Sequence, residues 1–106
     1  MLHDAVLHAL RPRTLAEAVR TRLGGGWSVV EVRARLAPEV VQTWLGTADA
    51  EPIRAERALC DAVRHELSGL VAAGTVARRT RRYSAHLRGK GARDVVIDLY
   101  RLGRGH

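Results

Sequence analysis

Residues 52–102 decide the fold. The stretch begins PIRAERALCDAVRHELSGLVAAGTVARRTRRY (52–83), continues SAHLR (84–88) and ends GKGARDVVIDLYRL (89–102). At about 100° per residue, Leu59, Cys60, Val63, Leu67, Leu70 and Val71 fall in one arc, and Arg54, Arg57, Arg64, His65 and Ser68 in another. That spacing predicts an amphipathic helix over residues 52–73. Pro52 suits the first helical turn, where its missing N–H is not needed, and Asp49 is a candidate cap upstream. Gly74 can take φ > 0 without a Cβ penalty and so ends the helix.

Beyond Gly74 the period changes. Residues 75–83 are β-tolerant and basic, and Val95, Ile97 and Leu99 alternate with Val96, Asp98 and Tyr100 as in a strand. The ten residues SAHLRGKGAR between them carry two glycines and three cations, which predicts a hairpin with a long, positive tip. The fold class expected is mainly α with a C-terminal β-hairpin (α+β).

The run LSGLVAAGTVARR (67–79), a basic hairpin and the closing VIDLYRL (96–102) resemble the recognition helix, first strand, wing and last strand of winged helix-turn-helix domains. The resemblance covers roughly the C-terminal half. It implies DNA binding, with the helix in the major groove and the wing on flanking backbone.

Charge placement points the same way. Residues 1–73 hold nine Arg against nine Asp or Glu, while residues 74–106 hold eight Arg and Lys90 against only Asp94 and Asp98, so the whole excess of +7 lies in the ribbon and tail. Arginine supplies nearly all of it, and its planar fork suits bidentate phosphate and guanine contacts. At 106 residues, 46% apolar and 27% charged, the chain is expected to form one globular domain, residues 1–106. With no apolar run of membrane-spanning length and no secretory leader pattern, a cytoplasmic protein with no membrane partner is expected. The single cysteine, Cys60, reads as a small apolar residue of the helix arc, with a redox or metal role as the alternative.

The N-terminal half reads as four short helices, over residues 2–10, 15–23, 28–36 and 38–45. Leu2, Val6 and Leu10 share one face of the first, which Pro12 ends. TLAE at 14–17 and SVVE at 28–31 are capping-box patterns. Leu15, Ala18, Val19 and Leu23 form an apolar face ended by the glycines at 24–26. The β-branched valines also allow a short strand at 27–32. Pro38 opens the fourth helix, with Val41, Trp44 and Leu45 inward and Gly46 as its stop.

The candidate DNA-binding residues are Arg54, Arg57, Arg64 and His65 on the helix, Arg78, Arg79, Arg81 and Arg82 on the first strand, and Arg88, Lys90 and Arg93 at the tip. Asp61 lies among the helix cations, and a solvated face with intrahelical pairs such as Arg57 to Asp61 is the plainer reading of that surface. For the ribbon the plainer readings are a charge-protected edge strand or a docking surface for an acidic protein. Four aromatics, with both Trp expected in packing roles, disfavour single-strand stacking. The five His show no metal-ligand spacing and the two Ser no nucleophile context, so no enzyme activity, cofactor or small-molecule ligand is inferred. Asp94 and Asp98 share a strand face with Val96 and are expected to balance the strand arginines. The expected function is double-stranded DNA binding by a small transcriptional regulator acting as a homodimer, with residues 2–10 as the dimer contact. The alternatives are a winged-helix interaction module on an acidic partner and a structured-RNA binder.

Overall fold

The computed structural model describes residues 2–47, 51–87 and 91–103. Its element order is α1 (Leu2–Leu10), α2 (Leu15–Gly24), α3 (Val29–Arg35), α4 (Pro38–Thr47), α5 (Pro52–Ala72), β1 (Val76–Leu87) and β2 (Gly91–Leu102), a mainly helical chain with a C-terminal antiparallel hairpin. No helix among the described residues is long and apolar enough to cross a membrane.

The core forms where α1, α3 and α5 meet. Helix α5 buries Ala55, Leu59, Val63, Leu67 and Leu70, one side chain per turn, and the last four cluster with Val6, Ala9 and Leu10 of α1 and Val32 of α3. Each fully buried Leu or Val contributes roughly 1.5–3 kcal/mol of transfer free energy. Val41, Trp44 and Leu45 of α4 pack as half-buried residues on the same cluster. Cys60 is half-buried on the flank of the α5 arc.

Helix α5 ends as its sequence dictates. Gly74 sits at φ 79°, and the amides of Gly74 and Thr75 donate back to Val71 and Leu70 carbonyls at 3.1 and 3.0 Å, a complete Schellman closure. Its start differs from expectation: Pro52 is in the first turn, but the cap position is Glu51, which makes no side-chain capping bond, and Asp49 lies outside the described residues. At α4, Gly46 does not stop the helix, which runs on to Thr47. A single helical glycine costs about 1 kcal/mol relative to Ala, which packing against the core can outweigh.

The Ser28 capping box is complete, with Glu31 N–H donating to Ser28 Oγ and Ser28 N–H donating to Glu31 Oε1, both at 3.2 Å. The Thr14 box closes only on one side. Glu17 N–H donates to Thr14 Oγ1 at 3.1 Å, but the Glu17 carboxylate takes the Arg13 amide at 2.9 Å in place of the Thr14 amide.

The choice between helix and strand at residues 27–32 resolves into both. Val29–Arg35 is helical, while Trp27 just before it exchanges two backbone hydrogen bonds of 2.8 Å with Tyr100 of β2. Trp27 therefore lies beside β2 on the side away from β1. This contact requires glycine next door: at Gly26, φ is 116°, and a methyl group there would overlap the Tyr100 carbonyl.

The hairpin spans the stretch that the sequence suggests, but its strands are longer than expected. Pairing runs from Val76↔Leu102 to Leu87↔Gly91, so most of SAHLRGKGAR is strand. Twelve residues per strand at about 3.3 Å each give a ribbon of roughly 40 Å. Its base, at Val76, Tyr100 and Leu102, joins the core, Arg79, Leu99 and Arg81 lie beside Gly25 and the end of α2, and the ribbon beyond them projects from the body.

Helix α2 is oriented opposite to a usual surface helix. It buries no residue: Leu15 is 83%, Val19 48% and Leu23 74% exposed. Its polar side faces the body instead, with Glu17 paired to Arg35 and Arg20 to Glu31. The apolar face read from the sequence exists, but it points to solvent.

Candidate nucleic-acid interface

The register of the ribbon sorts its charges by face. In an antiparallel pair, residues directly opposite share a face and alternate residues lie on opposite faces. One face carries Arg78, Thr80, Arg82 and Ser84 on β1, opposite Tyr100, Asp98, Val96 and Asp94 on β2. Two arginines and two aspartates leave it neutral. The aspartates take the hydroxyls directly across, Thr80 Oγ1 to Asp98 at 2.7 Å and Ser84 Oγ to Asp94 at 3.4 Å, and Arg78 and Arg82 flank Asp98 on the diagonals.

The other face holds Arg79 and Arg81 of β1 with Arg93 and Arg101 of β2, separated along β2 by Val95, Ile97 and Leu99. It carries four positive charges and no acid. All four arginines are exposed, and among the described residues none is in an ion pair. The Arg79 side chain lies along Gly25, and Arg81 Nη2 reaches toward the Leu23 carbonyl at the C-terminal end of α2, 3.5 Å away. Arg88 and Lys90 lie outside the described residues. Arg101 was not among the expected site residues, although the alternation Arg93, Val95, Ile97, Leu99, Arg101 contains it. What the sequence lacks is the register that places Arg79 and Arg81 on that face and Arg78 and Arg82 on the other.

On α5 the expected cations Arg54, Arg57, Arg64 and His65 are all exposed, on the side away from the core. Asp61 sits in the middle of this face, and its partner is Arg64 at 3.2 Å, not Arg57. An exposed pair three residues apart is worth a few tenths of a kcal/mol but cancels one charge of the surface. The other acids of α5 flank the core and are engaged there: Glu56 meets Arg33, with Nε 2.8 Å from Oε1 and Nη2 donating to Oε2 at 2.9 Å, and Glu66 lies 3.6 Å from His3. Among the described residues Arg54 and Arg57 are the arginines of this helix that no ion pair engages.

The residues that brace the base of the ribbon escaped the sequence reading. Arg35, only 12% exposed in its side chain, donates to the Ala9 and Arg11 carbonyls at 2.8 and 2.9 Å and to Glu17 at 3.0 Å. Its guanidinium lies 4.0 Å from the Trp27 ring centre and that of Arg20 4.3 Å, both at cation–π distance. Arg35 thus ties α1, α2 and Trp27 together, and Trp27 fixes β2. The cleft of about 370 Å³ between α2 and α3 is lined by these same groups, and its charges are already paired.

The Glu17 carboxyl is held below its ordinary 4.5, first by the Arg35 hydrogen bond and then by the Arg13 amide. Burial acts to raise Glu31, but the Ser28 amide and the Arg20 guanidinium outweigh it and bring Glu31 below 4.5 as well. Lowered carboxyl pKa values stabilise the fold above the unfolded value, and that contribution is lost as pH falls through the folded values. The thermal midpoint should therefore be level near neutrality and fall below about pH 4.5. The Glu17→Gln, Glu31→Gln variant should melt lower at pH 7 with a flatter acid limb. A wild-type midpoint unchanged between pH 5 and 3 would contradict this bracing.

Among the described residues no group of three or more His, Cys, Asp or Glu could hold a metal ion. Comparison with protein-family models, with curated proteins and with solved structures gave no match.

Proposed function

We propose that the chain is a winged helix-turn-helix protein that binds double-stranded DNA, with the ribbon as its wing. The observation that carries the reading is the segregation of Arg79, Arg81, Arg93 and Arg101 onto one acid-free ribbon face. A projecting ribbon with its net charge on one side follows a phosphate backbone, because each neutralised phosphate releases condensed counterions. The element order supports the fold assignment. The helices α1, α3 and α5 surround one core, Trp27 lies between α1 and α3 and pairs with β2, and the spatial strand order is Trp27, β2, β1. Helices α2 and α4 are then additions to a three-helix, winged plan.

In this reading α5 lies against the major groove, with Arg54 and Arg57 able to reach base edges or phosphates, and Asp61 moderating non-specific attraction. Transcriptional regulation is the biological role that such binding suits best. The second reading, docking on an acidic protein, draws support from Val95, Ile97 and Leu99, which interleave the arginines with apolar surface. Titration of labelled duplex at about 50 mM salt, with an acidic polypeptide as competitor, separates the two. Saturable duplex binding supports the DNA reading; no duplex affinity, with retention of the acidic polypeptide, removes it.

A further inference from the structure

We propose that the free edge of β1 takes up an extended acidic segment of a partner protein as a further strand of the ribbon. The Trp27 bridge fixes which backbone groups that edge presents. The N–H and carbonyl of Tyr100 both bond to Trp27, so they point away from β1 and Arg78↔Tyr100 is a non-hydrogen-bonded pair of the ribbon. The two kinds of pair alternate along an antiparallel ladder, so Thr80, Arg82 and Ser84 are in non-hydrogen-bonded pairs as well. The bond from the Gly103 amide to the Thr75 carbonyl, one step before the ladder begins, has the parity this requires. Arg78, Thr80, Arg82 and Ser84 therefore turn their N–H and carbonyl groups outward, on an edge that no described strand covers.

The occupant follows from charge. Strand β1 contains no Pro and pairs with β2 without a bulge from Val76 to Leu87, so two of the usual devices that blunt an edge are missing. What guards this edge is positive charge, with Arg78, Arg79, Arg81 and Arg82 all exposed. That charge bars a second copy: the two-fold pairing centred on Thr80 sets Arg79 against Arg81 and Arg78 against Arg82, and like charges directly opposite destabilise a ladder. It admits an acidic strand for the same reason. Residues of the added strand that bond to Arg78, Thr80 and Arg82 lie on the face of Asp94 and Asp98, and the alternate residues lie beside Arg79 and Arg81 on the acid-free face. A segment with carboxylates at alternate positions thus supplies the acid this face lacks, while main-chain bonds hold its register. The inference does not rest on duplex binding, which uses the side chains of the ribbon and not its backbone edge.

Amide exchange of the full chain, followed by NMR, checks the edge before any partner is added. The Arg79 and Arg81 amides, bonded to β2, should be protected, and those of Arg78, Thr80 and Arg82 should exchange at least about tenfold faster. The probe for binding is an acetylated, amidated peptide of alternating Thr and Glu, eight residues long, whose Thr amides face β1 when its Glu side chains lie beside Arg79 and Arg81. At about 50 mM salt it should bind saturably and protect the Arg78, Thr80 and Arg82 amides. N-methylation of its Thr amides should weaken binding by about tenfold or more, whereas N-methylation of its Glu amides, at equal charge, should change it by less than about threefold. Three results would overturn the proposal: no saturable binding up to about 1 mM peptide, a Glu-methylated peptide that binds no better than the Thr-methylated one, or edge protection that appears with chain concentration alone.

Discussion

Replacing Arg79, Arg81, Arg93 and Arg101 together by alanine is expected to lower duplex affinity by about three orders of magnitude at 0.1 M salt while leaving the fold intact. The magnitude follows from counterion release. Each phosphate neutralised contributes about 0.9 to the slope of log K against log salt, so four lost contacts remove about 3.6 from the exponent. With about six contacts in the wild type, its slope near −5 should flatten to about −2. The fold is expected to survive because all four side chains are exposed and, among the described residues, in no ion pair, and the base of the ribbon is held by Val76, Tyr100 and Leu102. The loss should be alike on every duplex sequence, since phosphate contacts carry no base information. Changes at Arg54 or Arg57 should instead relax preference at particular base pairs.

Gly26→Ala is expected to be among the most damaging single substitutions in the chain, costing about 3 kcal/mol or more. The added methyl group must occupy the space of the Tyr100 carbonyl, at a φ of 116° that L-residues rarely adopt. Relief requires Trp27 to withdraw from β2, which breaks both 2.8 Å hydrogen bonds and disturbs the seat of Trp27 against Arg20 and Arg35. Two residues earlier the outcome reverses. Gly24 is the last residue of α2, and a methyl group there meets nothing nearer than Arg20 Cγ at 3.6 Å, so Gly24→Ala should be neutral or stabilising by a few tenths of a kcal/mol. Urea melts of both variants check the contrast, and equal midpoints would show that the Trp27–Tyr100 contact is dispensable.

That contrast illustrates what was legible in the sequence. GGG at 24–26 marks a helix end, and α2 does end there with Gly25 as its left-handed cap. Nothing local tells which of the three glycines faces a strand seventy-odd residues away. Helix α5 and the ribbon were readable because their evidence is local: one apolar residue per turn, a glycine in the required place, then a switch to period two. Periodicity also found the apolar face of α2 but could not orient it, since the groups that turn its polar side inward, Glu31 and Arg35, belong to another element. The strands were underestimated because Ser84, Gly91 and their neighbours have turn-like composition, yet pairing with the opposite strand continues through them. The arginines of the candidate site were recognised by clustering alone. Their division into a neutral and a positive face needs register, which neighbouring residues do not encode.

The sharpest test compares two double variants of equal charge. Arg79→Ala, Arg81→Ala removes two cations from the acid-free face, and Arg78→Ala, Arg82→Ala removes two from the face shared with Asp94 and Asp98. Duplex affinity measured from about 50 to 300 mM salt should show the first pair flattening the slope by about 2 and the second leaving it near the wild-type value. Equal slopes for the two variants would contradict the account, because binding would then follow total charge and not the face on which the ribbon displays it.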